Sequence, residues 1–231
     1  MRIALFVTCV NDAFYPATGI AVTRVLRRLG HDVDFPAGQT CCGQMHANTG
    51  YAAQAVPIAE QFARTFGDYD AIVAPSGSCV AMIREQYPRL IPSAAPVAAR
   101  TYELSELLLD VLGVEDVGAR FAHRVTYHPT CHGLRALRLG DRPLRLLRAV
   151  RDIDLVELPG AEECCGFGGT FAVKNPEVSA AILADKCIAV ATTGADVVAA
   201  ADNSCLAHIG GGLSRRRSGT RPLHYAEILA S

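Results

Sequence analysis

No window of the 231-residue chain reaches the ~18 consecutive apolar residues that a membrane-spanning helix needs. Nor is there a basic excess: 22 Lys and Arg stand against 23 Asp and Glu, a formal charge of −1. Binding nucleic acid takes a cationic face that neutralises phosphates, so that class is set aside. The one basic run, Arg215 to Arg217, reads as solvated surface. The opening "MRIALFVTCVND" has a single Arg before an apolar run that stops at Thr8, with no small-residue cleavage site, which suits a core strand better than a secretion signal. Missing too are a G-x-G-x-x-G turn, a P-loop with its Lys, a G-x-S-x-G elbow and an H-E-x-x-H pair. "CGFGGTF" and "HIGGGL" are rich in glycine but fit none of these patterns, and no organic-substrate pocket is marked. A cytoplasmic location is expected, and a reducing compartment keeps thiols free for metal or redox work.

What is present is cysteine, nine residues in a chain whose 50% hydrophobic content supports a substantial core. Two adjacent pairs precede a glycine, Cys41-Cys42-Gly43 and Cys164-Cys165-Gly166. Chance composition predicts about 0.03 such triplets. The pairs belong to a wider repeat: Cys9 to Cys131 is a step of 122 residues, each member of the pair steps by 123, and Cys79 to Cys205 by 126. A near-constant offset is the mark of an internal duplication.

The surrounding residues predict the same elements twice. "RIALFVT", "HDVDF" and "YDAIVAP" read as strands, separated by helical patterns in "PATGIAVTRVLRRLG" and in "ANTGYAAQAVPIAEQFARTF", the latter kinked or restarted at Pro57. "HRVTYHP", "DIDLVELPG" and "ADVVAAA" repeat the strands, with helices in "DRPLRLLRAV" and "NPEVSAAILADKCIAVATTG". The expected fold class is α/β, two pseudo-symmetric Rossmann-like lobes with mostly parallel sheets. The lobes are placed at residues 1–95 and 121–231, joined by a connecting helix region over 96–120 built on Leu104, Leu107, Leu108 and Val111. Cys9, Cys79, Cys131 and Cys205 each follow a strand run, and each CCG follows the middle strand. All eight cysteines then lie at the carboxyl edge of a sheet, where open α/β folds place ligands.

Each lobe therefore offers four thiolates, candidates for zinc or for an iron–sulfur cluster. Adjacent cysteines fit one small tetrahedral zinc site poorly, whereas a cluster can take them on different irons. Cys187 has no counterpart in the first half, where Arg64 stands, and reads as core. His128 and His132 flank Cys131 and read as loop residues or as donors to cluster sulfur. Met82 and His208 each stand three residues beyond the last cysteine, as wall residues or, for His208, as an extra ligand.

The stretches "FVTCVNDAFYP", "TCCGQMHANTGY", "PSGSCVAMI", "YHPTCHGLR", "EECCGFGGTFAVKNPEVSAAILADK" and "NSCLAHIGGG" resemble the CCG, or cysteine-rich, domain family, duplicated in heterodisulfide reductase, and within it the lactate-utilisation protein A branch. The resemblance spans the whole chain. It implies an iron–sulfur electron-transfer subunit of an L-lactate dehydrogenase complex, converting lactate to pyruvate beside a ferredoxin-like iron–sulfur subunit and a third subunit. The substrate would be bound elsewhere in the complex. Carried over, the ligand motif falls on Cys9, Cys41, Cys42 and Cys79 and on Cys131, Cys164, Cys165 and Cys205, for one or two clusters of [4Fe-4S] type. The family's C-x-x-C ending is absent, since Met82 and His208 occupy the fifth thiolate position. A zinc-stabilised assembly module and a thiol–disulfide redox protein are the alternatives.

Overall fold

The computed structural model describes residues 1–231 and divides the chain into two compact units, Met1–Val114 and Glu115–Ser231. Each is an α/β lobe around one four-stranded sheet. In the first, β1 (Ile3–Leu5), β2 (Val33–Asp34), β3 (Ala71–Ala74) and β4 (Thr101–Glu103) lie in the order β2-β1-β3-β4. In the second, β5 (Arg124–His128), β6 (Asp154–Val156), β7 (Val197–Ala200) and β8 (Arg221–His224) lie in the order β6-β5-β7-β8. Every pairing is parallel. The duplication read from the cysteines is a duplication of topology.

The reason these runs become strands is burial on both faces. β3 and β7 are short, apolar and fully buried, as expected of central strands in a parallel sheet covered by helices. In the first lobe Phe6, Phe62, Phe66 and Tyr87 pack edge to face or tilted, with ring centroids 4.5 to 5.6 Å apart. The helix expected to kink or restart at Pro57 runs unbroken over Ala52–Phe66.

The fourth strand of each sheet is the feature that sequence patterning did not supply. Where residues 96–120 read as a connecting helix region, Thr101–Glu103 instead forms the edge strand β4, paired to β3. Three residues are too few for a visible alternation, and the Leu104, Leu107, Leu108 helical pattern follows at once. Glu103 makes that switch sharp, accepting a bond from the Ser105 N–H while Glu106 accepts from the Glu103 N–H in a capping box. β8 carries Pro222, which an edge strand tolerates because no ladder donor is needed on its open side.

The strand order fixes the position of the site. In each lobe the chain leaves the first strand towards one side and returns to the other, so a crevice opens beyond the carboxyl ends of β1 and β3, and of β5 and β7. Cys9 follows β1, Cys79 follows β3, Cys131 follows β5 and Cys205 follows β7.

Candidate metal centres at the strand ends

In the first lobe the crevice gathers four free thiols into a chain of contacts. Cys9 Sγ lies 3.6 Å from Cys41 Sγ, and Cys42 Sγ lies 3.2 Å from Cys79 Sγ. The adjacent pair thus divides its labour. Cys41 joins Cys9 at the accessible side, whereas Cys42 turns inward to Cys79. The second lobe repeats the grouping: Cys131 interacts with Cys164, Cys164 with Cys165, and Cys165 with Cys205, the last two sulfurs lying within 4.8 Å of each other. The inner thiols are 2% exposed at Cys42 and Cys165 and 8% at Cys79 and Cys205, the same values in both lobes.

Two backbone features set up this geometry in duplicate. Thr8 and Thr130, directly before Cys9 and Cys131, have φ of 72° and 61°. A β-branched residue in the left-handed region is strained by roughly 1–3 kcal/mol, and here the strain recurs at matched, buried positions. Gly43 and Gly166, directly after the pairs, have φ of 77° and 89°, and their N–H groups donate to Cys41 Sγ and Cys164 Sγ, each at 3.3 Å.

Side-chain amides and hydroxyls then tie the loops together. Gln39 donates to the Leu5 and Pro36 carbonyls and accepts from the Val7 N–H. Asn11 donates to the Pro75 carbonyl, Gln44 to that of Ser78, and the buried Tyr87 hydroxyl to that of Cys42. Ser76 Oγ accepts from the Cys79 N–H at the start of the helix Gly77–Ala81. None of these residues carries a sequence signal of its own, since a lone Asn, Gln or Tyr beside a cysteine matches no motif.

The contacts polarise the thiols. Cys41 accepts from the Cys42 and Cys9 thiols and from the Gly43 N–H, which together hold it down to about 2. Cys164 is depressed likewise, by Cys131, Cys165 and the Gly166 N–H. Cys9, Cys42, Cys131 and Cys165 are pushed up, chiefly as donors to those thiolates and then by burial. One expected result follows for reduced, metal-free protein. Cys41 and Cys164 are alkylated by iodoacetamide first, at rates nearly flat between pH 5 and 8, whereas an ordinary thiol slows about tenfold for each unit the pH falls. Site-resolved mass spectrometry over a time course checks this; faster labelling of Cys42 or Cys165 would refute the polarisation.

The second lobe adds nitrogen. His128, at the end of β5, is 1% exposed, and its ring nitrogen lies within 4.8 Å of both Cys165 Sγ and Cys205 Sγ. Neither ring nitrogen makes a hydrogen bond of good geometry, although the Ala161 backbone is close. Burial, then the nearby Lys186 charge, lowers His128 to about 4, so its ring is neutral at pH 7. Lys186 is itself buried, donates to the Gly160 carbonyl at 2.7 Å and interacts with Glu163, Cys165 and Cys164. Its proton affinity is lowered by burial, partly offset by Glu163 and the neighbouring cysteine sulfurs.

His132 Nδ1 is 3.7 Å from Cys131 Sγ. His208 Nε2 is 3.2 Å from Ser179 Oγ, and its ring meets Phe167 edge to face, in the wall of a cleft of about 450 Å³. Ser179 gives its one hydroxyl proton to the Gly166 carbonyl, so His208 Nε2 donates to Ser179. Met82 is buried in the first lobe's core. Cys187 is fully buried and packs against Gly212, where an added Cβ would lie 2.6 Å from its sulfur. An added Cβ at Gly210 would meet Pro222 at the same distance, so "HIGGGL" serves close packing of one helix.

The CCG cysteine-rich domain model matches residues 3–84 and 125–210, one copy in each lobe. Lactate utilization protein A of Oceanobacillus iheyensis is 43% identical over 236 residues, covering 99% of this chain and 96% of that protein. The protein of the same name from Geobacillus kaustophilus is 46% identical over 99% of this chain and 98% of its own length. The one from Bacillus subtilis is 43% identical with both chains covered in full.

Proposed function

Because the chain belongs to the CCG cysteine-rich domain family, in its lactate-utilisation protein A branch, we propose that it is an iron–sulfur electron-transfer subunit of an L-lactate-oxidising complex. The observation that carries this reading is the twofold convergence of an adjacent cysteine pair with two further thiols at a strand-end crevice. The donor chemistry fits such a group. Thiolate sulfur is the ligand that iron–sulfur clusters take, and four free cysteines gather at each crevice.

In this reading Cys9, Cys41, Cys42 and Cys79 hold one centre and Cys131, Cys164, Cys165 and Cys205 a second, with [4Fe-4S] type the assignment for one or both. When bound, such a centre takes up and passes on single electrons. The chain's own residues keep the inner thiols dry, donate N–H groups to the outer sulfurs at Gly43 and Gly166, and fix the loops by the Asn11, Gln39, Gln44 and Tyr87 bonds. Lactate is oxidised to pyruvate elsewhere in the complex. Phe14, Met45 and Tyr51, which follow Cys9 and Cys42 closely in sequence, are 75%, 53% and 58% exposed and offer apolar surface to a ferredoxin-like subunit. A third subunit completes the complex, working in the cytoplasm. No helix here is long and apolar enough to cross a membrane.

The test is metal and sulfide content, with electron paramagnetic resonance spectra, of the complex prepared without oxygen and still oxidising lactate. Iron and acid-labile sulfide on this chain are the expected result. An active complex with neither on this chain overturns the proposal, and zinc without visible absorption puts the assembly-module alternative in its place.

A further inference from the structure

We propose that His128 is a nitrogen ligand, acting with Cys165 and Cys205, so that the second lobe holds a mixed sulfur–nitrogen metal centre and the first an all-sulfur one. The inference deepens the proposed function, because it requires a metal in the second lobe without specifying which. It rests on the juxtaposition of three buried donors whose ligand atoms all lie within 4.8 Å of one another. It rests equally on the state of the imidazole. A buried polar atom left without a partner costs about 1–3 kcal/mol, and both His128 ring nitrogens lack one of good geometry. Nothing in the strand demands a histidine: the duplicated position in the first lobe is Phe6, which fills the same place with an aromatic ring packed on Phe62 and Phe66. A neutral imidazole keeps one nitrogen lone pair, the atom a transition metal takes.

The neighbouring histidines are otherwise engaged. His208 gives its Nε2 to Ser179, and His132 presents Nδ1 to Cys131. Lys186, buried beside Cys164 and Cys165 with only Ala63 at the duplicated position, balances thiolate charge on this side alone. The two centres would therefore differ in ligand set and in nearby charge. A positive charge beside the ligands favours the reduced state of an iron–sulfur centre, which makes the second lobe the electron-accepting end of the pair.

Cobalt(II) added to the reduced, metal-free full chain without oxygen tests the ligand directly. In the unsubstituted protein a strongly shifted, exchangeable imidazole N–H resonance is expected in the proton spectrum, with thiolate-to-cobalt absorption. His128→Phe, which installs the first lobe's residue, should lose that resonance and weaken cobalt binding in the second lobe by about 100-fold. His128→Cys should also lose it while keeping the metal and gaining thiolate absorption, which guards against misfolding of the Phe variant. A resonance that survives both substitutions, or no shifted imidazole in the unsubstituted chain, overturns the assignment. Iron and sulfide analysis of the same preparations separates the two ideas. Iron and sulfide without a cobalt-shifted His128 sinks only the ligand, and a shifted His128 without them sinks only the cluster reading.

Discussion

Gly166→Ala is expected to cost about 2–5 kcal/mol, from roughly 1–2 kcal/mol for a side chain in the left-handed region and a further 1–3 for overpacking. A Cβ at this position would lie 2.6 Å from the Ser179 carbonyl oxygen and 3.2 Å from Ile182 Cβ, with φ at +89°. The oxygen belongs to the long helix Pro176–Thr192 and cannot swing aside as a flexible side chain could. Gly43→Ala is the internal comparison. It has a similar φ of +77°, but its nearest neighbours are side-chain carbons at 3.4 Å or beyond, so only the conformational part, about 1–2 kcal/mol, should appear. Chemical denaturation of the two variants decides. Equal losses would mean that the glycines serve the backbone conformation alone, and the close approach of helix to loop would count for nothing.

The second large effect concerns the inner thiols. If each lobe holds a cluster as proposed, Cys42→Ser and Cys165→Ser are each expected to remove the iron of one lobe and leave the other's, halving the iron of protein prepared without oxygen. Serine keeps the size of the side chain but offers a far less acidic hydroxyl, which does not ionise to hold iron at neutral pH as a thiolate does. The inner cysteines are buried against Cys79 and Cys205, so no water or neighbouring thiol can replace them. The outer positions behave differently. Cys9 is exposed, and Cys9→Ser should leave a more labile centre that still assembles. Iron counts per chain, taken before and after a brief exposure to a chelator, separate the two classes. Total loss of iron from both lobes in any single variant would show that the centres are not independent.

The parallel α/β class and the placement of eight cysteines at strand ends could be argued from the sequence because both rest on strong, repeated signals. Strand runs such as "YDAIVAP" are buried on both faces and read as continuous apolar stretches, and the offsets between matched cysteines tie the two halves together. What escaped was short or solitary. β4 is three residues long and merges into a helical pattern, and β8 contains a proline that argues against a strand unless its edge position is known. The strain at Thr8 and Thr130 cannot be read from composition, since threonine usually favours extended backbone. His128 could be singled out as a neighbour of Cys131, but its inward aim depends on strand register, a property of the folded sheet rather than of the spacing.

The division of each cysteine pair into an outward and an inward sulfur has a further consequence for conduction. One peptide unit is all that separates Cys41 from Cys42, or Cys164 from Cys165, yet the first of each pair is reachable from solvent and the second is sealed. In the proposed electron-transfer reading, an electron passing from the rim ligand to the interior one tunnels over a short covalent path, and no water follows it. No shorter covalent path joins two ligand side chains, one near the surface and one in the dry core.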